Sequence, residues 1–264
     1  MKIILIGAGN LATNLGKALR GIGFDILQVF SRTMESASAL AQVLEAEAVD
    51  DIAQVRDDAD VYVLSVKDSA LESLVASLCP GKEDKLFFHT AGSMPLDVFR
   101  GKAQHYGVLY PMQTFSKSKE VCFSEIPCFI EASDEKSMGL IEELAHRLSH
   151  QVYRLSSAER KYLHLSAVFA CNFVNHCFAV SQQLLESHGI PFDVMLPLID
   201  ETVRKVHQLK PLEAQTGPAV RYDENVIGAQ SKLLEDNPLW KTIYDSMSRD
   251  IRKQYLNRKR YDQL

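Results

Sequence analysis

The stretch Lys2-Ile3-Ile4-Leu5-Ile6-Gly7-Ala8-Gly9-Asn10-Leu11-Ala12 decides the fold. Lys2–Ile6 is a short apolar run of strand type, and the residues from Leu11 to Gly21 have helical character. Between them stands Gly-x-Gly-x-x-Ala. Gly7 lets the chain turn tightly out of the strand, Gly9 leaves room for a ligand against the backbone, and the small Ala12 lets the helix lie close to the sheet. The helix N-terminus then offers unpaired N–H groups and a partial positive charge, which suits a pyrophosphate. The strand–turn–helix context makes Gly7, Ala8, Gly9, Asn10 and Leu11 the expected pyrophosphate-binding residues of a dinucleotide site.

The next strand, Asp25–Phe30, ends in Ser31-Arg32-Thr33. Sites for NAD carry an Asp or Glu at this tip to take the ribose 2′-hydroxyl. Here no acid stands there, and Ser31, Arg32 and Thr33 can hold a 2′-phosphate, with Arg32 making charge-assisted bonds. The expected cofactor is therefore NADP(H).

Strand and helix patterns continue to alternate through the first half. Strand-like segments are Val61–Val66, Lys85–His89, His105–Leu109, Cys128–Glu131 and Gln151–Leu155; helical ones are Glu35–Leu44, Ser69–Leu78 and Asp134–Leu148. This alternation predicts a Rossmann-like, doubly wound parallel α/β sheet. Beyond Ser156 no strand pattern remains. Ser157–His188 reads as one long helix stopped by Gly189-Ile190-Pro191, and Pro197 is expected to kink or divide the next helix, Pro191–Lys210. A loop over Pro211–Asn225 and helices over Val226–Glu235 and Pro238–Leu256 complete an all-α second part. The expected domains are residues 1–155 and 156–264.

Composition sets the outer limits. The 264 residues are 46% hydrophobic and 24% charged, ordinary for a globular chain and incompatible with disorder throughout. A net charge of −5 gives no global attraction for nucleic acid, and the basic residues Arg249, Arg252, Lys253, Arg258, Lys259 and Arg260 read as a solvated face. No uninterrupted apolar run suggests a membrane span, and no signal peptide is visible, so a cytoplasmic protein is expected. The five cysteines are widely spaced without a Cys-x-x-Cys pair, which suggests neither disulfides nor a metal site.

Several segments together carry a family resemblance. Gly7–Ala12, Ser31-Arg32-Thr33 and Leu64-Ser65-Val66-Lys67-Asp68 resemble the 6-phosphogluconate dehydrogenase-like superfamily, whose members include pyrroline-5-carboxylate reductase, ketopantoate reductase and the coenzyme F420-dependent NADP oxidoreductases. His89-Thr90-Ala91-Gly92-Ser93, Tyr110–Phe115, the Lys161–Asn175 helix and Thr216–Asp223 resemble more specifically a bacterial family of NADP oxidoreductase type, with a Rossmann-like N-terminal domain and a helical C-terminal domain of unknown function. The resemblance implies that the Ser65-Val66-Lys67 loop lies along the nicotinamide ribose. Related dehydrogenases place a Lys and an Asn one turn apart on the matching helix, as general acid and substrate anchor. Four residues before Asn172 this chain has Val168 instead.

Candidate chemistry follows from position. Ligands of open α/β sheets sit at the carboxyl ends of strands. There stand Ser65, Val66, Lys67 and Thr90 as further cofactor contacts, His89 as a catalytic candidate, and Ser93 and Gln113 as substrate contacts. On the long helix Lys161, His164, Val168, Asn172 and Asn175 recur at three- and four-residue steps, a polar line on an apolar helix. It makes Lys161, His164 and Asn172 catalytic candidates and Asn175 a substrate contact. Among His89, Lys161 and His164 the imidazole of His164 suits proton transfer best by type. Arg221 either binds a substrate carboxylate or pairs internally with Asp223. The reading is hydride transfer between NADP(H) and a small polar carbonyl or imine bound between the domains, with a non-catalytic NADP(H) sensor as the alternative. The long apolar helix further predicts a homodimer through the C-terminal domain.

Overall fold

The computed structural model describes residues 1–261, with side chains through residue 259, so Arg260 of the basic C-terminal run lies outside the described side chains. The strands are β1 (Lys2–Ile6), β2 (Asp25–Phe30), β3 (Glu47–Val49), β4 (Val61–Leu64), β5 (Leu86–His89), β6 (His105–Pro111), β7 (Cys128–Ala132) and β8 (Val152–Arg154). They form one sheet in the order β3-β2-β1-β4-β5-β6-β7-β8. All pairings are parallel except β6 with β7, which run antiparallel. The doubly wound parallel sheet expected from the sequence is present, with one antiparallel pairing near its edge. Alternation of strand and helix breaks at this point, because no α-helix but only a loop and a single 3₁₀ turn (Phe123–Glu125) connects β6 to β7.

β1 shows why the apolar run folds as it does. Ile3, Ile4, Leu5 and Ile6 are all fully buried. Ile3 and Leu5 join the core beneath α1 (Asn10–Gly21), α2 (Met34–Leu44) and α4 (Glu135–Leu148), while Ile4 and Ile6 join the core under α3 (Asp68–Leu78). The two-residue strand period thus feeds both faces, as a doubly wound sheet requires. Gly16 lets α1 approach closely, since a Cβ there would lie 2.7 Å from Leu5 Cδ1 and 2.8 Å from Leu44 Cδ1. The short strand β3, not anticipated, follows Glu45 in the left-handed region and pairs with β2 at the sheet edge.

After β8 only helices follow among the described residues. α5 (Ser157–Ala167) opens with a capping box of Ser156 and Glu159, passes into a π-helical stretch over Val168–Phe173, and continues as α6 (Val174–Glu186). The chain divides into two compact units between Asn172 and Phe173, inside this helix. The segment Ser157–Glu186 is long and apolar enough on average to cross a membrane, although Ser, Asn and His interrupt any continuous apolar run. The second unit contains α7 (Leu196–Gln208), the short turns α8 (Pro211–Ala214) and α9 (Pro218–Arg221), α10 (Glu224–Lys232) and α11 (Pro238–Tyr261). Pro197 sits in the first turn of α7, where its missing N–H costs nothing, and a 3₁₀ turn at Phe192–Met195 precedes it.

Candidate active site

The turn from β1 into α1 borders a cavity of about 430 Å³. Gly7 to Leu11, Ser31, Arg32, Ser65 to Lys67 and Thr90 line it. Gly7 has φ +119°, and a Cβ there would collide with the Ser65 carbonyl oxygen, so the position demands glycine. A Cβ on Gly9 would meet open space. Gly9 caps α1 without a side-chain bond and the first turn holds no acid, so neither neutralises the donors at the helix start.

At the second strand, Ser31 and Arg32 line the cavity and Thr33 does not. Thr33 caps α2: its Oγ1 accepts from the Ser36 N–H at 3.4 Å and donates to Ser36 Oγ at 2.9 Å. Ser36 lines the cavity instead, a residue the sequence reading missed although it stands in the first turn of α2. No Asp or Glu lines this cavity among the described residues, which fits a phosphate group and not a free ribose hydroxyl.

Beyond Thr90 and Ala91 the loop meets α5. His89 is fully buried and both its nitrogens are taken: Nδ1 accepts from the Ala91 N–H at 3.1 Å and Nε2 donates to the Pro95 carbonyl at 3.3 Å. Burial, assisted by the nearby charge of Arg160, lowers its pKa to about 4, so it is neutral and fixes the loop. Ser93 donates to the carboxylate of Asp68, the first residue of α3. Gly92 is packed against two rings, since a Cβ there would lie 2.5 Å from His164 Nδ1 and 2.9 Å from Tyr110 Cζ. His164, half-buried on α5, has Nδ1 3.1 Å from the Tyr110 hydroxyl.

A buried ion pair docks α5 onto this loop. Arg160 is 1% exposed; its guanidinium donates to Glu131 at 2.6 Å and to the Met94 carbonyl at 2.7 Å. Ser157 Oγ donates to Glu131 at 2.6 Å and accepts from the Leu96 N–H at 2.8 Å. Ser157, Arg160 and His164 occupy one helix face at i, i+3 and i+7. The sequence reading missed Arg160, and it picked out the Tyr110–Phe115 segment without giving the Tyr110 side chain a role. A fully buried arginine has no local signature, and its glutamate stands on a distant strand.

The remaining candidates lie elsewhere. Lys161 is exposed, its ammonium 5.0 Å from the Tyr162 ring centroid. Asn172 is exposed within the π-helical stretch, where i→i+5 bonding takes more residues per turn and rotates it off the line through Lys161 and His164. Asn175 is exposed on α6. Gln113 accepts from the Thr114 N–H at 2.8 Å and lines a separate cavity formed by residues 113–126. Arg221 is exposed without an ion pair among the described residues, because Asp223 caps α10 by accepting from the Val226 N–H at 3.3 Å.

Comparison with known proteins decides the family. Residues 2–90 match the family described as NADP oxidoreductase, coenzyme F420-dependent, and residues 126–251 match a domain of unknown function (DUF2520). A provisionally named NADP oxidoreductase from Bacteroides fragilis, known from its crystal structure, is 55% identical over 96% of this chain and 98% of that one, with a TM-score of 0.92. The chain belongs to this two-part NADP oxidoreductase family. Pyrroline-5-carboxylate reductase from Pseudomonas aeruginosa is 33% identical over 97 residues, which are 36% of each protein, so the chain spans about a third of that relative's length. An imine reductase from Myxococcus stipitatus, solved in complex with NADP⁺, shares the fold at 18% identity, with a TM-score of 0.68 over 96% of this chain and 93% of that one. The chain is an oxidoreductase and NADP(H) is its cofactor. The glycine turn and the Ser31, Arg32 and Ser36 wall fit it.

Proposed function

We propose that this oxidoreductase reduces a small polar carbonyl or imine with NADPH, and that His164 supplies the proton. The carrying observation is the docking of the His164 imidazole against Gly92, which directly follows the cavity-lining Thr90 and Ala91. The N–H groups at the start of α1 bind the pyrophosphate; Ser31, Arg32 and Ser36 bind the 2′-phosphate; Ser65, Val66, Lys67 and Thr90 hold the nicotinamide end. When bound, the cofactor supplies the hydride. Of the three proton-donor candidates, His89 is closed off by backbone partners and Lys161 is turned to solvent beside Tyr162, which leaves His164. Ser93, held by Asp68 next to Gly92, supplies a hydroxyl for orienting substrate.

The reading includes a homodimer through the helical part. None of the described residues of α6 or α7 is buried, and Phe173, Leu198, Val203 and Val206 are about half exposed. A second copy covering this surface also accounts for the apolar character of Ser157–Glu186 without a membrane. Three of the five free thiols, Cys122, Cys171 and Cys177, are exposed, which suits a reducing cytoplasm.

The test is steady-state NADPH oxidation against a panel of cyclic imines and 2-oxo acids. His164→Ala is expected to lower kcat about 10²–10⁴-fold while NADPH affinity stays unchanged. Full activity of that variant would overturn the assignment of the donor.

A further inference from the structure

We propose that Tyr110 is a positioning residue for His164. Its phenol O–H donates to Nδ1, which puts the proton of the neutral imidazole on Nε2, the atom left to face a reactant. The inference rests on the reading of His164 as proton donor and adds the device that keeps it in the working tautomer.

The geometry carries the argument. Tyr110 stands near the end of β6, 8% exposed, with its ring 6.4 Å from Phe129 on the neighbouring strand. The Tyr110 and His164 rings meet edge to face, with centroids 5.9 Å apart and planes at 73°. The hydroxyl-to-Nδ1 contact of 3.1 Å is the only hydrogen bond of either side chain among the described residues. Two arrangements are available in the neutral pair. If Nδ1–H donated to the phenol oxygen, the phenol hydrogen of a side chain only 8% exposed would have no acceptor among the described residues. If the phenol donates, every group at the contact is satisfied, and the second arrangement wins. Burial also raises the phenol above its ordinary range, so in the resting pair the hydroxyl is protonated and donates to Nδ1.

Gly92 makes the pair possible. Any side chain there would intrude on both rings at once, 2.5 Å from Nδ1 and 2.9 Å from Tyr110 Cζ. Arg160, four residues before His164, fixes the helix that carries the imidazole through Glu131 and Met94. Helix, loop and strand therefore converge on one nitrogen.

The proton count closes. Hydride adds to the carbon of the C=O or C=N group, and the π electron pair moves to the heteroatom. The heteroatom takes the proton from Nε2, and Nδ1 takes the phenol proton of Tyr110. The imidazole ends neutral with its proton on Nδ1, bonded to a phenolate. After product leaves, Nε2 takes a proton from water, the Nδ1 proton returns to the phenolate, and the starting pair is restored.

Nitrogen-15 NMR of imidazole-labelled full-length protein tests this directly, with the His164 signals assigned by their loss in His164→Gln. The expected wild-type tautomer is Nε2–H. In Tyr110→Phe both tautomers are expected, with kcat lowered at least about tenfold and substrate KM unchanged. Gly92→Ala, which crowds the same contact, is expected to mix the tautomers too. A wild-type Nδ1–H tautomer would overturn the proposal without any variant, and so would a Tyr110→Phe protein with wild-type spectrum and turnover. The donor assignment fails separately: an Nε2–H tautomer alongside a fully active His164→Ala protein would sink that reading and the relay with it, yet leave the hydrogen bond standing.

Discussion

Strand β1 is apolar and helix α7 carries an apolar face, and the chain treats the two in opposite ways. Ile3 to Ile6 are sealed on both faces by helices of the same chain, whereas α7 buries none of its residues and leaves Leu196, Leu198, Val203 and Val206 about half exposed. Across the first unit, Met1–Asn172, two cores sandwich the sheet; in the second unit the only buried residues are Ala219, Ser231 and Leu234 among those described. Covering a large apolar side chain is worth roughly 1.5–3 kcal/mol. A helical unit that leaves so many uncovered is unstable in water unless another surface takes them. The first unit buries its own apolar residues, and the second leaves the surface that the proposed dimer would cover.

The largest expected effect follows from that contrast. Leu198→Asp combined with Val206→Asp places two charges on the uncovered surface. Light scattering at micromolar concentration is expected to give a dimer for the wild type and half that mass for the variant, because an unpaired charge in an apolar interface costs several kcal/mol. NADPH binding should persist, since the cofactor cavity is lined by residues 7–91 alone. A wild-type monomer would break the comparison.

A matched pair of truncations sharpens it. Leu5→Ala removes a fully buried side chain and is expected to cost about 2–5 kcal/mol in denaturant unfolding. Leu233→Ala, at 82% exposure in the second unit, should change stability by less than about 0.5 kcal/mol. Equal costs would mean that Leu233 is covered in solution, and would place it in the interface.

His89 gives the first unit a pH signature. Its folded pKa of about 4 lies below the unfolded value of 6.5. Above 6.5 both states are neutral and the contribution to stability is complete. As pH falls from 6.5 to about 4, the unfolded chain takes up the proton first, so stability is lost; below 4 the loss levels off. The window corresponds to roughly 3 kcal/mol. Urea unfolding at pH 7 and pH 4.5 should show this loss in the wild type and not in His89→Gln, whose side chain does not titrate.

Local periodicity made most of the first unit legible. Lys2–Ile6 and Asp25–Phe30 are strands with the bounds read from the sequence, and the glycine turn lies where its spacing put it. What escaped depends on long-range partners. β3 is three residues long and exists because β2 offers it an edge. The antiparallel β7 reads as any other strand until its missing crossover helix is noticed. The π-helical stretch has no Pro or Gly to announce it, yet it dissolves the polar line drawn from Lys161 to Asn175. At the candidate site, single residue types were visible and their pairings were not. His164 stands out as an imidazole on an apolar helix, but Tyr110 lies 54 positions away and nothing local joins the two.

The smallest expected effect on ligand binding tests whether the first unit reads its cofactor unaided. Arg32→Ala removes the one guanidinium lining the cavity, beside Ser31 and Ser36. A hydrogen bond to a charged group is worth about 1.5–3 kcal/mol, and Arg32 is exposed and therefore screened, so the lower end applies: roughly a tenfold rise in Kd for NADPH, with NADH unaffected. The NADPH-to-NADH preference is best measured by calorimetry in two backgrounds, the wild type and the Leu198→Asp, Val206→Asp protein. An equal fall in both means that the 2′-phosphate is held by the first unit whatever the second unit touches. A fall confined to the wild type would mean that a partner copy completes the phosphate site, and the two regions would then be joined in function despite their opposite packing.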